Sequence, residues 1–131
     1  MKSLAPFLAF LFCITITFLS CNGKADTAGL QNIKVTEIAK LKVDNPDLVI
    51  LDVRTAKEII GGKIDENAIE IDFKEDSFEK KINDLDRNKT YLVYCKSGGR
   101  SSKTANMMLM AGFKNVYNLE GGYSDWSSSK K

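Results

Sequence analysis

Two short runs of consecutive apolar residues place the strongest limit on the fold of this chain. They are residues 48–51 (LVIL) and 91–94 (YLVY), both rich in branched or aromatic side chains. A strand with one face in water alternates apolar and polar residues, so an unbroken apolar run predicts a strand covered on both faces. Such strands are typical of parallel sheets with helices on both sides.

Helical patterns lie between and after these runs. Helices are predicted at residues 37–41, 77–85, 101–111 and 123–126, and further short strands at 68–71 and 115–117. Gly112 is placed to end the third helix in a left-handed conformation. Strands that alternate with helices predict an α/β fold with a central, mainly parallel sheet flanked by helices. The 131 residues suit one compact domain.

The N-terminus is apolar over residues 4–19, and Lys2 gives it a positive start. This layout predicts a secretory signal peptide over residues 1–20. As a helix, the apolar part would span about 24 Å, which is less than the roughly 30 Å hydrocarbon core of a bilayer. A retained membrane anchor stays open as an alternative.

Cys21 directly follows this segment, and residues 18–21 (FLSC) resemble the bacterial lipobox, with Phe18 in the place of the usual leucine. The resemblance implies cleavage before Cys21, a lipid on that cysteine, and a protein anchored in the bacterial cell envelope that faces the periplasm. An ordinary signal peptide would instead give a secreted or soluble periplasmic protein. Residues 21–31 are mostly small and polar, which predicts a lipid-attached tether. Residues 128–131 are predicted to form a flexible tail.

Cys95 follows the second apolar run, in the stretch CKSGGRS over residues 95–101. Ligands of open parallel sheets bind beyond the carboxyl ends of the strands, which is where this cysteine falls. The small residues after it allow the backbone to turn its N–H groups inward, and the next helix adds its positive end. Lys103 adds a further positive charge. The predicted anion-binding residues beside the Cys95 sulfur are Lys96, Ser97, Gly98, Gly99 and Arg100.

The composition limits how Cys95 could react. The chain has no histidine, which excludes Cys-His pairs and most zinc sites, and we predict no metal or cofactor. A free thiol with a pKa of about 8.5 is only about 3% thiolate at pH 7, so the helix terminus and loop N–H groups must stabilise the thiolate. The alternative is a buried cysteine that ends a core strand. The net charge of +2 has no basic stripe, and nucleic-acid binding is not predicted.

Three motifs, in order, are similar to those of single-domain rhodaneses, a family of sulfurtransferases. Residues 51–72 are similar to D-V-R-x-x-x-E-[FY]-x-x-G-H-I-x-x-A-x-N, and the matching residues are Asp52, Val53, Arg54, Glu58, Gly62, Ile64 and, one position later than in the motif, Ala68. Lys63 stands in the place of the histidine, Glu70 in that of the asparagine and Ile59 in that of the aromatic residue. Residues 95–101 match C-x-x-G-x-R-[ST], and residues 119–126 (LEGGYSDW) match L-x-G-G-x-x-x-W. The resemblance covers about residues 32–127.

This resemblance implies a rhodanese-like three-layer fold and a sulfur relay. The Cys95 thiolate would take a sulfane sulfur from thiosulfate or a similar anion, forming a persulfide, and pass it to a thiol or cyanide. Lys96 and Arg100 would help to bind the donor. Arg54 is a further substrate-binding candidate, although its place beside Asp52 also suits a structural role.

Two other functions stay open. Phosphatases and arsenate reductases of related fold use C-x5-R, whereas Cys95 and Arg100 are separated by four residues. A persulfide carrier or binding module without general turnover is the second alternative. The expected partners are a small sulfur anion, an acceptor and, through the lipid, a membrane. The sequence does not fix the oligomeric state; a monomer is expected.

Overall fold

The computed structural model describes residues 29–131. The predicted signal peptide, the lipid attachment at Cys21 and residues 21–28 of the predicted tether therefore lie outside the described residues. Among the helices of residues 29–131, none combines the length and the apolar character needed to cross a membrane.

Five strands and five α-helices alternate along the described chain. The strands are β1 (Gln31–Ile33), β2 (Val49–Asp52), β3 (Ile69–Glu70), β4 (Thr90–Tyr94) and β5 (Asn115–Leu119). The helices are α1 (Ile38–Asp44), α2 (Ala56–Ile59), α3 (Phe78–Asn83), α4 (Gly99–Met110) and α5 (Gly122–Ser128), and a 3₁₀ turn (Val35–Glu37) precedes α1. All neighbouring strands are parallel, in the order β1-β5-β4-β2-β3. The predicted α/β fold with a parallel central sheet is confirmed.

Strands β2 and β4 are buried on both faces, as their unbroken apolar runs predict. Successive side chains of a strand point to opposite faces. Leu51 and Val93 pack with residues of α3 and α4 in one core. Ile50 and Leu92 pack with residues of α1 and α5 in a second core on the other face. These two cores give the molecule three layers.

The end of α4 follows the prediction made for Gly112. This residue has φ of +90°, the left-handed conformation that glycine adopts at low cost. The N–H of Phe113 donates to the carbonyl of Met108 at 3.0 Å, and that of Gly112 to Leu109 at 3.1 Å. These two bonds form a Schellman motif, which ends the helix and turns the chain into β5.

Strand β1 differs from the prediction because it begins at Gln31, a residue assigned to the tether. Gln31 and Asn32 are polar and give no strand signal of their own. The strand forms by pairing with β5, and Asn118 Nδ2 donates to Asn32 Oδ1 at 2.9 Å across the pair. At the other end of the chain, α5 reaches Ser128, the first residue of the predicted flexible tail.

Candidate active site

Cys95 lies at the carboxyl edge of the sheet, directly after β4. Its residue is only 1% exposed, and its side chain belongs to the core between the sheet and helices α3 and α4. The loop residues Lys96, Ser97 and Gly99, in contrast, are exposed. The thiol is therefore enclosed beneath exposed loop residues.

The loop after Cys95 curls back over the sulfur. Gly98 has φ of +105°, and its N–H donates a hydrogen bond to the Cys95 Sγ at 3.1 Å. The hydroxyl of Ser101 lies 3.4 Å from the same sulfur and is positioned to donate to it. Helix α4, with 12 residues, starts at Gly99, so its positive end is directed at the thiol. The predicted cradle of N–H groups is thus present around Cys95.

These donors favour the charged form of the thiol. Burial by itself raises the pKa of Cys95, because it disfavours the thiolate. Hydrogen bonds from the Ser101 hydroxyl and from the N–H groups of Ser101, Gly98 and Ser97 outweigh burial, and the pKa is lowered overall. The site can therefore activate Cys95 without a general base, as expected for a chain that has no histidine.

Ser101 is a site residue that the sequence reasoning did not identify. It is fully buried, and its hydroxyl also contacts the carbonyl of Gly98 at 3.2 Å. The available signal was its position: one turn into α4, a small hydroxyl side chain points back toward the residues before the helix. Ser101 also occupies the last position of the motif C-x-x-G-x-R-[ST], which requires a hydroxyl side chain.

The third motif supports the cysteine loop through backbone hydrogen bonds. The N–H groups of Tyr123 and Ser124, in the first turn of α5, donate to the carbonyls of Cys95 and Lys96 at 2.8 and 2.9 Å. Gly122 makes this approach possible, because a Cβ atom added there would lie 2.4 Å from the Cys95 carbonyl oxygen. The Gly121-Gly122 pair of this motif is therefore part of the active-site support.

Arg100 is held by Glu58 in a two-point ion pair. Its Nη1 and Nη2 donate to the two carboxylate oxygens of Glu58 at 2.9 and 2.7 Å. The hydrogen bonds that Arg100 donates to Glu58 raise the pKa of Arg100; burial opposes this, and the charges of Glu58, Cys95 and Asp72 add to it. Two of the five guanidinium N–H donors are used. Arg100 thus keeps donors for an anion, in an orientation that Glu58 fixes.

Glu58 also belongs to a capping box in α2, a helix that the sequence analysis did not predict. Thr55 precedes the helix, its hydroxyl accepts from the Glu58 N–H at 3.3 Å, and Glu58 Oε2 accepts from the Thr55 N–H at 2.9 Å. The hydrogen bond from Arg100 lowers the pKa of Glu58 to about 2; burial opposes this and the bonds from Thr55 assist it. The capping box aims the carboxylate at the active-site loop.

Arg54, a substrate-binding candidate for which a structural role was also open, lies in a buried network. The residue is 2% exposed, and its Nη2 donates to Asp52 Oδ2 and to the Gly62 carbonyl, both at 2.8 Å. Its guanidinium carbon lies 4.2 Å from the centre of the Tyr123 ring. These contacts bury Arg54 and join the first motif to α5, which fits the structural role.

Two of the departures from the first motif, Lys63 and Glu70, contact each other. Lys63 Nζ donates to Glu70 Oε1 at 2.9 Å and to the Glu66 carbonyl at 3.0 Å. The pair joins the segment after α2 to β3. Lys63 and Glu70 therefore replace the family's histidine and asparagine as a matched pair of charges.

The fold and site define a class of protein: a parallel α/β domain that presents a cysteine thiolate in a glycine-rich loop at a helix N-terminus. The comparisons identify the family. The model of the rhodanese-like domain matches residues 35–129, and the chain belongs to this family.

Three similar proteins illustrate the range of the family. A rhodanese-related protein from Thermoplasma volcanium superposes with a TM-score of 0.65 at 28% identity, over 76% of this chain and 92% of that one. An NAD-dependent persulfide reductase from A. fulgidus superposes with a TM-score of 0.58 at 31% identity, over 74% of this chain but 16% of that one. The tRNA uridine(34) hydroxylase of Yersinia pestis (strain Pestoides F) is 32% identical over 112 residues, which is 81% of this chain. The match spans only 31% of that relative, so the activity of the whole relative is not transferred.

Proposed function

We propose that the protein is a sulfurtransferase that moves a sulfane sulfur through a persulfide on Cys95. The observation that carries this proposal is the pair of donors on the sulfur, the Gly98 N–H at 3.1 Å and the Ser101 hydroxyl at 3.4 Å. They lower the pKa of the thiol although it is buried. A nucleophile of this kind needs no partner base.

In the first half-reaction, the Cys95 thiolate attacks the outer sulfur of thiosulfate or a similar donor. A new bond forms between the two sulfurs, the bond between the donor sulfurs breaks, and sulfite leaves with the electron pair. The positive end of α4, Lys96 and the free N–H groups of Arg100 stabilise the anion as it enters and leaves.

In the second half-reaction, a thiolate or cyanide attacks the outer sulfur of the persulfide. Cys95 leaves as the thiolate, and the acceptor departs as a persulfide or as thiocyanate. The loop N–H groups that lower the pKa of the thiol also stabilise it as a leaving group. Two successive displacements predict ping-pong kinetics.

The loop length favours sulfur over phosphate. Four residues separate Cys95 from Arg100, one fewer than in the C-x5-R loops of phosphatases and arsenate reductases. A smaller cradle suits a single sulfur atom on Cys95 better than a tetrahedral group. The low exposure of the thiol also favours a slender reactant.

The location proposed for this reaction is the bacterial cell envelope. The sequence around Cys21 supports a lipid anchor and a domain that faces the periplasm. Fatty-acid labelling in a bacterial host tests it. Label that disappears in Cys21→Ala supports the anchor, and equal label in both proteins overturns it.

Incubation with thiosulfate and cyanide tests the activity. Thiocyanate release and a gain of about 32 Da, the mass of one sulfur on the cysteine, are expected for the wild type and absent in Cys95→Ser. A carrier would gain the mass but release thiocyanate slowly. A wild type that gave neither, while hydrolysing an aryl phosphate, would overturn the proposal.

A further inference from the structure

A second feature, a cavity of about 320 Å³, lies between the segment that follows β3 and helix α4. Its apolar walls are Phe73, Phe78 and Met107. Its charged residues are Lys103 on α4 and Glu75, Asp76 and Glu79 on the opposite wall. The volume falls in the range of small-molecule sites, which starts at about 300 Å³.

Three observations place this cavity near Arg100. Thr104, a lining residue, donates its hydroxyl to the carbonyl of Arg100 at 2.8 Å. Phe73 packs against the same core as Cys95. Asp72, next to Phe73 in the chain, lies close enough to act on the charge of Arg100. A ligand in the cavity would therefore lie against the first half of α4, one turn beyond Arg100.

The charges of the cavity are of both signs and largely free. Glu75 is bound to Lys81. Lys103, Asp76 and Glu79, however, make no ion pair within residues 29–131, and all three are exposed. The cavity thus offers one cation, two carboxylates and apolar side chains. This set complements a short molecule that carries a carboxylate and an ammonium group.

We propose that this cavity binds the sulfur acceptor, and that the acceptor is a zwitterionic thiol of the amino-acid class. Lys103 would bind its carboxylate, and Asp76 and Glu79 would bind its ammonium group. Its carbon chain would pack against the apolar lining residues. The inference builds on the proposed sulfurtransferase function and adds the chemical class of the acceptor.

The transfer is balanced with the groups present. The acceptor thiolate attacks the outer sulfur of the Cys95 persulfide, and a new sulfur–sulfur bond forms as the old one breaks. Cys95 leaves as the thiolate and the acceptor carries the persulfide. No external oxidant or reductant takes part.

A panel of acceptors tests the charge requirement. Cysteine carries both charges, N-acetylcysteine lacks the ammonium, cysteamine lacks the carboxylate and 2-mercaptoethanol lacks both. With kcat/KM expressed per thiolate, cysteine is expected to exceed 2-mercaptoethanol by about tenfold or more, as one or two charge contacts would give. Equal values for the four thiols would overturn the proposal.

Two variants should then change selectivity in opposite directions. Lys103→Ala is expected to lower the ratio of cysteine to cysteamine activity, whereas Asp76→Asn combined with Glu79→Gln should lower the ratio of cysteine to N-acetylcysteine. Lys89→Ala and Asp47→Asn, exposed residues next to the amino ends of β4 and β2, are the matched controls and should change neither ratio. If both ratios were the same in all variants, the proposal that the acceptor binds in this cavity would be overturned.

Direct binding separates this inference from the function on which it builds. 2-Aminobutyrate, a zwitterion without a thiol, should shift the NMR signals of Phe73, Met107 and Lys103 and leave those around Asn45 unchanged. Shifts without any persulfide on Cys95 would support the ligand class but remove the sulfurtransferase function. A persulfide without any shift would overturn the cavity proposal alone.

Discussion

Glu58 and Arg100 connect the two halves of the active site by a two-point ion pair, with N–O distances of 2.7 and 2.9 Å. Glu58 follows β2 and Arg100 stands in the first turn of α4. The side chains are 26% and 22% exposed, so solvent screens the pair in part. The pair fixes the orientation of Arg100, the arginine proposed to bind the donor anion.

Glu58→Gln should loosen this connection. The amide keeps the size of the side chain but loses the charge and one acceptor oxygen. After allowance for screening, we expect the free energy of unfolding to fall by about 1 kcal/mol. We expect kcat/KM for thiosulfate to fall about five- to tenfold. Glu66→Gln, whose side chain is 89% exposed, is the control for urea unfolding and steady-state kinetics. Equal losses of stability and of kcat/KM in Glu58→Gln and Glu66→Gln would contradict a specific role for the Glu58–Arg100 pair.

The same pair predicts how stability depends on acid. The pKa of Glu58 is lowered from 4.5 to about 2, so the stabilisation is complete above pH 4.5 and is lost as the pH falls toward 2. Urea unfolding should therefore show the wild type more stable than Glu58→Gln at pH 7, and the difference should shrink steadily between pH 4.5 and pH 2. A difference that stays constant over this range would contradict the ion pair.

Strands β2 to β5 and the position of Cys95 were predictable, because each depends on a local pattern. The apolar run that became β4 places Cys95 at the carboxyl edge, and the small residues after it indicate the N–H cradle. β1 and α2 were not predicted, because the first depends on pairing with β5 and the second is only four residues long. For Arg54 a substrate-binding and a structural role were both open, because a sequence does not show burial. Its partners, Asp52 and Gly62, are reached only in the folded chain.

Ser101→Ala should make Cys95 less reactive at low pH. The hydroxyl helps to lower the pKa of the thiol, so its removal moves the thiolate midpoint to higher pH. A hydrogen bond to a charged group contributes about 1.5 kcal/mol, which corresponds to roughly tenfold slower alkylation by iodoacetamide at pH 6. The pH profile of alkylation measures this. Ser102→Ala, one residue further along α4, should leave the profile unchanged, and a similar shift in both variants would reject the role of Ser101.

Comparing Gly122→Ala with Gly112→Ala should separate the destabilisation caused by a steric clash from that caused by a strained backbone conformation. Both glycines have positive φ, +54° and +90°, so alanine is strained by about 1–2 kcal/mol at each. Only at Gly122 would the new methyl group also meet backbone, 2.4 Å from the Cys95 carbonyl oxygen, whereas nothing lies within 4 Å at Gly112.

We therefore expect Gly112→Ala to lower the free energy of unfolding by about 1–2 kcal/mol and to retain persulfide formation on Cys95. Gly122→Ala should cost more than about 4 kcal/mol, or displace the loop and abolish the persulfide. Urea unfolding and intact mass after thiosulfate treatment measure the two effects. Because the clash falls on the backbone of the loop, a Gly122→Ala protein that folds but fails to form the persulfide would still support the role of α5. Normal stability together with normal persulfide formation would contradict it.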